Sequence, residues 1–258
     1  MKKTICIFFC ITLLFSLCSC SGIQKLPDDM TVTQSSSDIT VTTIKKYEEF
    51  KDASGKVVYV VDAELPQIES GIDIHIAELI NNSVQNIFYE YCTTARSNTE
   101  NASDFMAAQN SDKPWYMKLR CDESNVEENV TSFLFRTGFS RFGAESLALS
   151  SYRSIVFGTK TGEIKNLLSF RVEEESVSRE KLIAKIVEKA KRGFYTDGSA
   201  SDEQLELIAS TFDPNNFWCK DGKVLYFVGR GLIAPGESTY YICELTPNDY
   251  SGILDLNS

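Results

Sequence analysis

Hydrophobic positions in the first part of the chain follow two different periods. Residues 38–50 and 56–65 are rich in β-branched and aromatic side chains, which predicts two strands, the second of them ending at Pro66. From residue 71 to residue 94 the apolar residues recur at helical spacing. That spacing predicts an amphipathic helix with one apolar stripe.

The middle of the chain returns to strand-like patterns after a polar stretch, 95–112, that is interpreted as a loop. The next runs cover residues 115–121, 129–141 and 146–157, and a turn at 159–162 closes the last of them. Successive runs of this kind predict an antiparallel meander.

Two helices and a hairpin are predicted in the last third. Ser178 is interpreted as the cap of a helix that reaches Arg192, and Ser201 opens a capping box before a shorter helix. The pair at 221–222 is Asp-Gly between two strand-like runs, a strong hairpin signal, and 239–245 predicts one more strand. Together these elements indicate an α+β domain, with about three helices packed on a largely antiparallel sheet.

The N-terminus has the layout of a secretory signal. Two lysines precede an apolar run at 5–17, and the sequence Leu-Cys-Ser-Cys at 17–20 resembles the bacterial lipobox. This predicts a lipoprotein signal peptide at 1–19, cut before Cys20, whose thiol then carries lipid. An ordinary secretory signal and an uncleaved anchor are the alternatives.

Acylation of Cys20 would hold the protein on a lipid bilayer, because each buried methylene contributes about 0.8 kcal/mol. Residues 20–38 are mostly polar and are interpreted as a flexible tether, which leaves 39–258 as the folded domain. The expected location is therefore extracytoplasmic, at the bacterial cell envelope, with a lipid anchor in the cell membrane.

Charge narrows the range of partners. Removing residues 1–19 takes away two lysines and no acid, so 24 basic residues face 36 acidic ones and the net charge is −12. Such a surface repels nucleic acid and anionic lipid heads, and it attracts basic partners.

Four cysteines remain besides the predicted lipid-bearing one, namely Cys92, Cys121, Cys219 and Cys243. Outside the cytoplasm disulfides are permitted, and four cysteines allow three pairings. Cys219 with Cys243 and Cys92 with Cys121 are the preferred pairs, because the first two are predicted on neighbouring strands. Free buried thiols are the alternative, and the wide spacings do not favour a metal site.

Little in the chain points to catalysis. His75 is the single histidine, which excludes multi-histidine metal sites, and it is interpreted as a solvated or satisfied helix residue. No G-x-S-x-G elbow or phosphate-binding glycine loop is present. The acidic run 173–175, together with Asp202 and Glu203, suits helix N-termini. We therefore expect neither cofactor nor metal, although spacing alone does not exclude a glycosidase carboxylate pair.

Aromatic residues are dense near the C-terminus and allow a sugar- or peptide-binding face, although core packing is the favoured use for about half of them. The residues concerned are Phe217, Trp218, Tyr226, Phe227, Tyr240 and Tyr241.

Three segments carry a family resemblance: 216–228 with its Asp-Gly turn, the Ile-Ala-Pro turn within 232–236, and the Lys-Thr-Gly turn within 158–168. They resemble the extracytoplasmic domain of unknown function shared by the anti-sigma factor RsiV and the peptidoglycan deacetylase PdaC. The resemblance implies an α+β domain that binds lysozyme in the anti-sigma factor and accompanies the catalytic domain in the deacetylase. The chain departs from both in having no anti-sigma segment, spanning helix or deacetylase domain.

The expected function is a non-catalytic, membrane-anchored binding module. Its partner is expected to be a cell-envelope component such as cell-wall glycan, or a basic protein such as lysozyme. One alternative is an accessory or structural envelope lipoprotein without a small ligand. The other is a carboxylate-dependent enzyme acting on envelope glycans.

Overall fold

The computed structural model describes residues 33–34, 39–149, 151–193, 201–228 and 241–257. The predicted signal peptide at 1–19, Cys20 and most of the predicted tether lie outside these residues. The elements run in the order β1 (Thr33–Gln34), β2 (Thr40–Lys51), β3 (Val57–Ser70), α1 (Ile74–Ser97), α2 (Thr99–Ala108), β4 (Trp115–Val126), β5 (Val130–Ser140), β6 (Ser151–Gly158), α3 (Glu175–Gly193), α4 (Asp202–Ser210), β7 (Phe217–Lys220), β8 (Lys223–Val228), β9 (Tyr241–Leu245) and α5 (Pro247–Tyr250).

These elements form an α+β fold with two sheets, as predicted. The larger sheet has the strand order β1-β2-β3-β4-β5-β6, and the smaller has the order β7-β8-β9. Every pairing is antiparallel except that of β3 with β4, which is parallel over Tyr59 to Glu64 and Trp115 to Arg120. Helices α1 and α2 connect these two parallel strands, because a parallel pair needs a long crossover.

Helix α1 confirms the amphipathic pattern and packs its stripe onto the larger sheet. Asp73 caps the helix, since its side chain accepts hydrogen bonds from the backbone N–H groups of His75 and Ile76. Ile80 and Val84, one turn apart, are fully buried in the first core. Burying such side chains contributes about 1.5–3 kcal/mol each, which fixes the helix against the sheet.

The prediction of a loop at 95–112 is wrong, because this stretch contains α2. Asn98 precedes the helix without a side-chain capping bond, and the apolar signal is sparse. Ala102 and Met106 lie one helical turn apart and are 0% and 1% exposed. The helix is therefore stabilised by tertiary packing of a narrow stripe more than by its own sequence pattern.

Strand β3 continues to Ser70, so the prediction that it stops at Pro66 is wrong. Pairing with β4 ends at Glu64, and beyond it the edge of β3 away from β2 is covered by Asn81 of α1. The Asn81 amide accepts from the Ile68 N–H at 2.8 Å and donates to the Ile68 carbonyl at 3.0 Å. Backbone groups two residues apart in a strand point to the same edge, so the Pro66 nitrogen points, like that of Ile68, away from β2. The missing N–H of Pro66 therefore removes no hydrogen bond between β2 and β3.

The run predicted as a strand at 146–157 becomes one only at Ser151, where β6 begins. Before it lies a short 3-10 turn at Ala144–Ser146. A Cβ at Gly138 would collide with the backbone carbonyl of Ala148. The absence of a side chain at Gly138 therefore allows the backbone at Ala148 to pack directly against β5.

Strand β5 is buried on both faces and belongs to two cores. Phe133 and Phe135, both 0% exposed, pack in the first core, between the larger sheet and helices α1 and α2. Val130 belongs instead to the second core, which lies between the smaller sheet and helices α3 and α4. On that same side, Leu134 packs with Trp218 of β7. The strand is thus the wall that the two layers share.

Helix α3 begins before Ser178, so the prediction that Ser178 caps it is wrong. Ser178 lies inside the first turns, where its N–H donates to the Glu174 carbonyl at 3.0 Å. The side chain is fully buried and its hydroxyl has no partner among the described residues. The acidic residues before it, at 173–175, lie at the exposed N-terminus of the helix, where negative charge is favourable.

Two local predictions near the C-terminus are confirmed. Ser201 caps α4 with a complete capping box to Gln204. Asp221 and Gly222 join β7 to β8 with φ values of 52° and 67°. Positive φ at both central residues is the type I′ hairpin geometry, which glycine adopts without steric cost.

Candidate functional site

The larger of the two described clefts lies where three chain segments meet at one end of the sheets. It has a volume of about 540 Å³, against about 380 Å³ for a cleft between α2 and the β2–β3 turn. Its walls come from the β4–β5 turn at 127–129, Gly222 of the hairpin and the C-terminal segment 247–257. We call it the C-terminal cleft.

Gly222 holds the three segments together. Its N–H donates to the Glu127 carboxylate at 3.1 Å, and its carbonyl accepts from the Tyr250 hydroxyl at 2.6 Å. Glu127 also accepts from the Asn125 amide at 2.8 Å. Burial is the main cause that raises the pKa of Tyr250, followed by negative neighbours that include Glu127. The cleft wall is therefore a hydrogen-bonded unit built around one hairpin turn.

Helix α5 supplies the opposite wall and is fixed by Asp249. Its carboxylate accepts from the Thr246 N–H at 2.8 Å and the Thr246 hydroxyl at 2.7 Å, and it contacts Lys189 of α3 at 2.8 Å. The Lys189 and Thr246 hydrogen bonds lower the pKa of Asp249 to about 2. The short helix is thus capped and pinned to α3, which positions Pro247 and Tyr250 at the cleft.

The lining of the C-terminal cleft is negatively charged. It contains the carboxylates of Glu127, Glu128 and Asp255, and none of the described lining residues is a lysine or arginine. Glu128 reaches Lys160 outside the lining at 2.9 Å, and this hydrogen bond lowers the pKa of Glu128. Concave surfaces of one sign concentrate ions of the opposite sign. The cleft can therefore receive a basic group.

A second polar feature lies on the face of the larger sheet opposite α1. Side chains from neighbouring strands form a ladder of ion pairs in which each carboxylate meets at least one cation. The pairs are Asp62–Lys118 at 3.2 Å, Glu64–Lys118 at 3.7 Å, Glu64–Arg120 at 3.8 Å, Asp122–Arg120 at 3.5 Å and Asp122–Arg136. Cross-strand pairs of opposite charge stabilise a sheet, and the alternation leaves this ladder without a dominant sign.

A β-bulge connects this ladder to the smaller sheet. The register shifts between Cys121 and Glu123, so one extra residue of β4 faces β5. Glu123 then accepts hydrogen bonds from the Lys220 ammonium at 3.0 Å and from the Trp218 indole at 3.4 Å. The bulge thereby turns a carboxylate of the larger sheet towards β7.

The four described cysteines are free thiols, so neither preferred disulfide is present in the structure. The prediction that Cys219 and Cys243 lie on neighbouring strands is wrong, because β8 lies between β7 and β9. Two strand spacings separate their backbones by roughly 9.5 Å, which is beyond the reach of a disulfide. Burial raises the pKa of Cys121 and Cys243 to about 12, which keeps these thiols protonated and unreactive.

Other predicted site residues are also located. His75 is exposed at the start of α1, 3.8 Å from Glu78, in agreement with a solvated histidine. The aromatic binding face predicted near the C-terminus is not formed by its described members, since all four are at most 3% exposed. These are Phe217, Trp218, Tyr226 and Phe227. Both faces of the smaller sheet are covered. Side chains at alternating strand positions therefore pack into two different clusters, Phe217 and Tyr226 on one face and Trp218 and Phe227 on the other.

Within the described ranges, no group of three or more histidine, cysteine, aspartate or glutamate residues is arranged to hold a metal ion. The same part of the chain has no helix with the length and apolar character that crossing a membrane requires.

Solved structures with the same fold belong to the DUF3298 family. A member from Bacteroides fragilis has a TM-score of 0.57 and 11% identity, over 86% of this chain and 96% of that one. A member from Pseudomonas aeruginosa has a TM-score of 0.50 and 12% identity, over 84% of this chain and 94% of that one. No protein-family model and no curated protein matches the sequence. At this identity the likeness establishes the fold alone.

Proposed function

We propose that the protein is a lipid-anchored, extracytoplasmic binding module whose C-terminal cleft receives basic side chains of a protein partner, as a lysozyme would present them. The observation that carries the proposal is the lining of this cleft, in which the described residues include three carboxylates and no basic side chain. The strongly acidic composition supports it, because opposite charge speeds association and favours basic partners. The resemblance of three sequence segments to a domain that binds lysozyme in an anti-sigma factor also supports the proposal.

The geometry favours binding over glycoside hydrolysis. A glycosidase needs one carboxylic acid with a raised pKa, and the Lys160 hydrogen bond lowers the pKa of Glu128 instead. Glu127 is used structurally, since it accepts from Gly222 and Asn125. The apolar parts of Pro247, Leu254 and Leu256 also line the cleft, and they can cover the aliphatic stems of lysine or arginine.

Neutralising the cleft tests the proposal. The triple variant Glu127→Gln, Glu128→Gln, Asp255→Asn is expected to bind a basic lysozyme about tenfold more weakly in a calorimetric titration at low salt. The amides keep the hydrogen-bond acceptors, so the turn at Gly222 is retained. Raising the salt to physiological strength should reduce the difference, because the interaction is screened.

A second triple variant controls for net charge. Glu100→Gln, Glu180→Gln and Glu206→Gln remove the same number of charges from exposed helix positions outside the cleft. This variant is expected to bind as the unchanged protein does. Equal weakening in both variants, or no binding by the unchanged protein, would contradict the proposal.

The anchor is tested separately at the N-terminus. In a bacterial host fed an alkyne-bearing fatty acid, the protein and its Cys18→Ser variant are expected to carry the label, whereas Cys20→Ser is expected to lose it. Cys18 is the matched control because it lies two positions away in the same segment. Label that persists on Cys20→Ser would show that the thiol of Cys20 is not the acylated group.

A further inference from the structure

A cluster of aromatic rings in mutual contact, two of them exposed, lies at the end of β4 and β5 opposite to the C-terminal cleft. Phe139 and Phe142 are 42% and 52% exposed, unusual values for phenylalanine in a chain with well-filled cores. Phe139 contacts the Trp115 ring at 5.5 Å between centroids, and Phe142 contacts the Phe105 ring at 5.6 Å. Trp115 and Phe105 in turn contact each other at 5.8 Å. We call these four residues the aromatic platform.

A cation lies on this platform. The Arg141 guanidinium is 5.1 Å from the centroid of Trp115 and 5.7 Å from that of Phe105. Within the described residues no carboxylate pairs with it, although acids outnumber bases in the chain. Stacking holds a guanidinium flat and leaves its N–H groups directed outward, where they match a carboxylate in bidentate geometry.

An unmet donor lies in the same cluster. Trp115 is 8% exposed, and its indole N–H is buried without a hydrogen-bond partner among the described residues. Natural structures rarely leave such a group unpaired, since this costs about 1–3 kcal/mol. The other tryptophan, Trp218, donates its indole N–H to Glu123, so of the two tryptophans only Trp115 has an unmet indole donor among the described residues.

We propose that the aromatic platform binds a sugar that carries a carboxylate. Exposed phenyl rings stack on the apolar face of a pyranose, and the stacked guanidinium of Arg141 pairs with the acid. The charge of the ligand follows from Arg141, because a neutral sugar would leave this cation unpaired. Such a site is chemically opposite to the acidic cleft.

The two sites are also far apart. The platform begins at Trp115, the first residue of β4, and the cleft begins just beyond Val126, its last residue. At roughly 3.3 Å per residue the strand separates them by more than 30 Å. The platform proposal therefore does not depend on a basic partner in the cleft.

Titration with two matched sugars tests the platform. N-acetylmuramic acid and N-acetylglucosamine share the pyranose ring and the acetamido group, and only the first has a carboxylate. In spectra of the ¹⁵N-labelled protein, the chain's two tryptophans give two indole N–H resonances, assigned with Trp115→Phe and Trp218→Phe. The acidic sugar is expected to shift the Trp115 resonance, leave that of Trp218 in place, and bind on the order of tenfold more tightly than the neutral sugar.

Variants at two exposed positions, Arg141 and Phe142, and at the half-buried Arg179 separate an effect on binding from an effect on folding. Arg141→Gln is expected to weaken binding of the acidic sugar on the order of tenfold. Phe142→Ala is expected to weaken binding of both sugars. Arg179→Gln is the matched control, because Arg179 also stacks on a ring, that of Phe212 at 5.0 Å. The proposal would be overturned by equal affinity for the two sugars or by an indole resonance of Trp115 that does not shift. It would also be overturned if Arg179→Gln lost as much affinity for the acidic sugar as Arg141→Gln. Lysozyme binding should be unchanged by Arg141→Gln, which distinguishes the two sites.

Discussion

Replacing Phe133 with alanine is expected to lower the free energy of unfolding by about 3–5 kcal/mol, because a fully buried ring is removed from the centre of the first core. Phe133 is 0% exposed on β5, and its ring meets Phe157 edge-on at 6.3 Å. The neighbouring strands hold the backbone in place, so the space would close only in part. Equilibrium unfolding in urea, followed by fluorescence and circular dichroism, measures the change.

Phe139 on the same strand is the matched control. It is 42% exposed, so Phe139→Ala removes the same atoms from a position that is already partly in water. We expect a smaller loss, about 1 kcal/mol or less. Equal losses for Phe133→Ala and Phe139→Ala would contradict the assignment of Phe133 to a closed core.

Replacing Ser132 with alanine is expected to cost about 1–3 kcal/mol for each backbone group that it leaves unpaired. The buried Ser132 hydroxyl donates to the Cys219 carbonyl at 2.6 Å and accepts from the Cys219 N–H at 3.2 Å. Cys219 lies on β7, whose outer edge has no strand partner in the smaller sheet among the described residues. One hydroxyl therefore satisfies both groups where the smaller sheet meets the larger one.

Ser154→Ala provides the comparison for this second expected result. The Ser154 hydroxyl on β6 also donates to a backbone carbonyl, that of Asn215 at 3.2 Å, but this contact is exposed to water. Its removal should change the free energy of unfolding by at most about 0.5 kcal/mol. If Ser132→Ala lowered the free energy of unfolding no more than Ser154→Ala, the contact between the two sheets would not depend on the Ser132 hydroxyl.

Local chemistry made several elements predictable from the sequence. Asp221 and Gly222 could be placed because a type I′ turn requires residues that tolerate positive φ. Ser201 could be placed because its capping box is complete within four residues. Helix α1 was readable because its apolar stripe continues over many turns.

Features that depend on distant parts of the chain were missed. Helix α2 has too few apolar positions to be recognised before its partners in the first core are known. For the aromatic residues around Trp218, the sequence pattern left one face of the strands open for binding. The sequence does not reveal that β5 and β6 cover this face. In the C-terminal cleft, Asn129 and Asn257 meet at 3.2 Å although they are 128 positions apart. Only the fold brings such residues together.

The strand order has a consequence for how the sheet is assembled. Neighbours in space are neighbours in the chain from β1 to β6, so no later strand must insert between two strands already paired. A chain that emerges N-terminus first can add each strand to the open edge left by the one before. Growth ends at β6, where the Lys165 N–H donates to the Val156 carbonyl at 2.8 Å and Ile164 bridges to Phe157. The topology therefore allows the sheet to assemble in the order in which its strands emerge, and the last edge is covered by the chain that follows it.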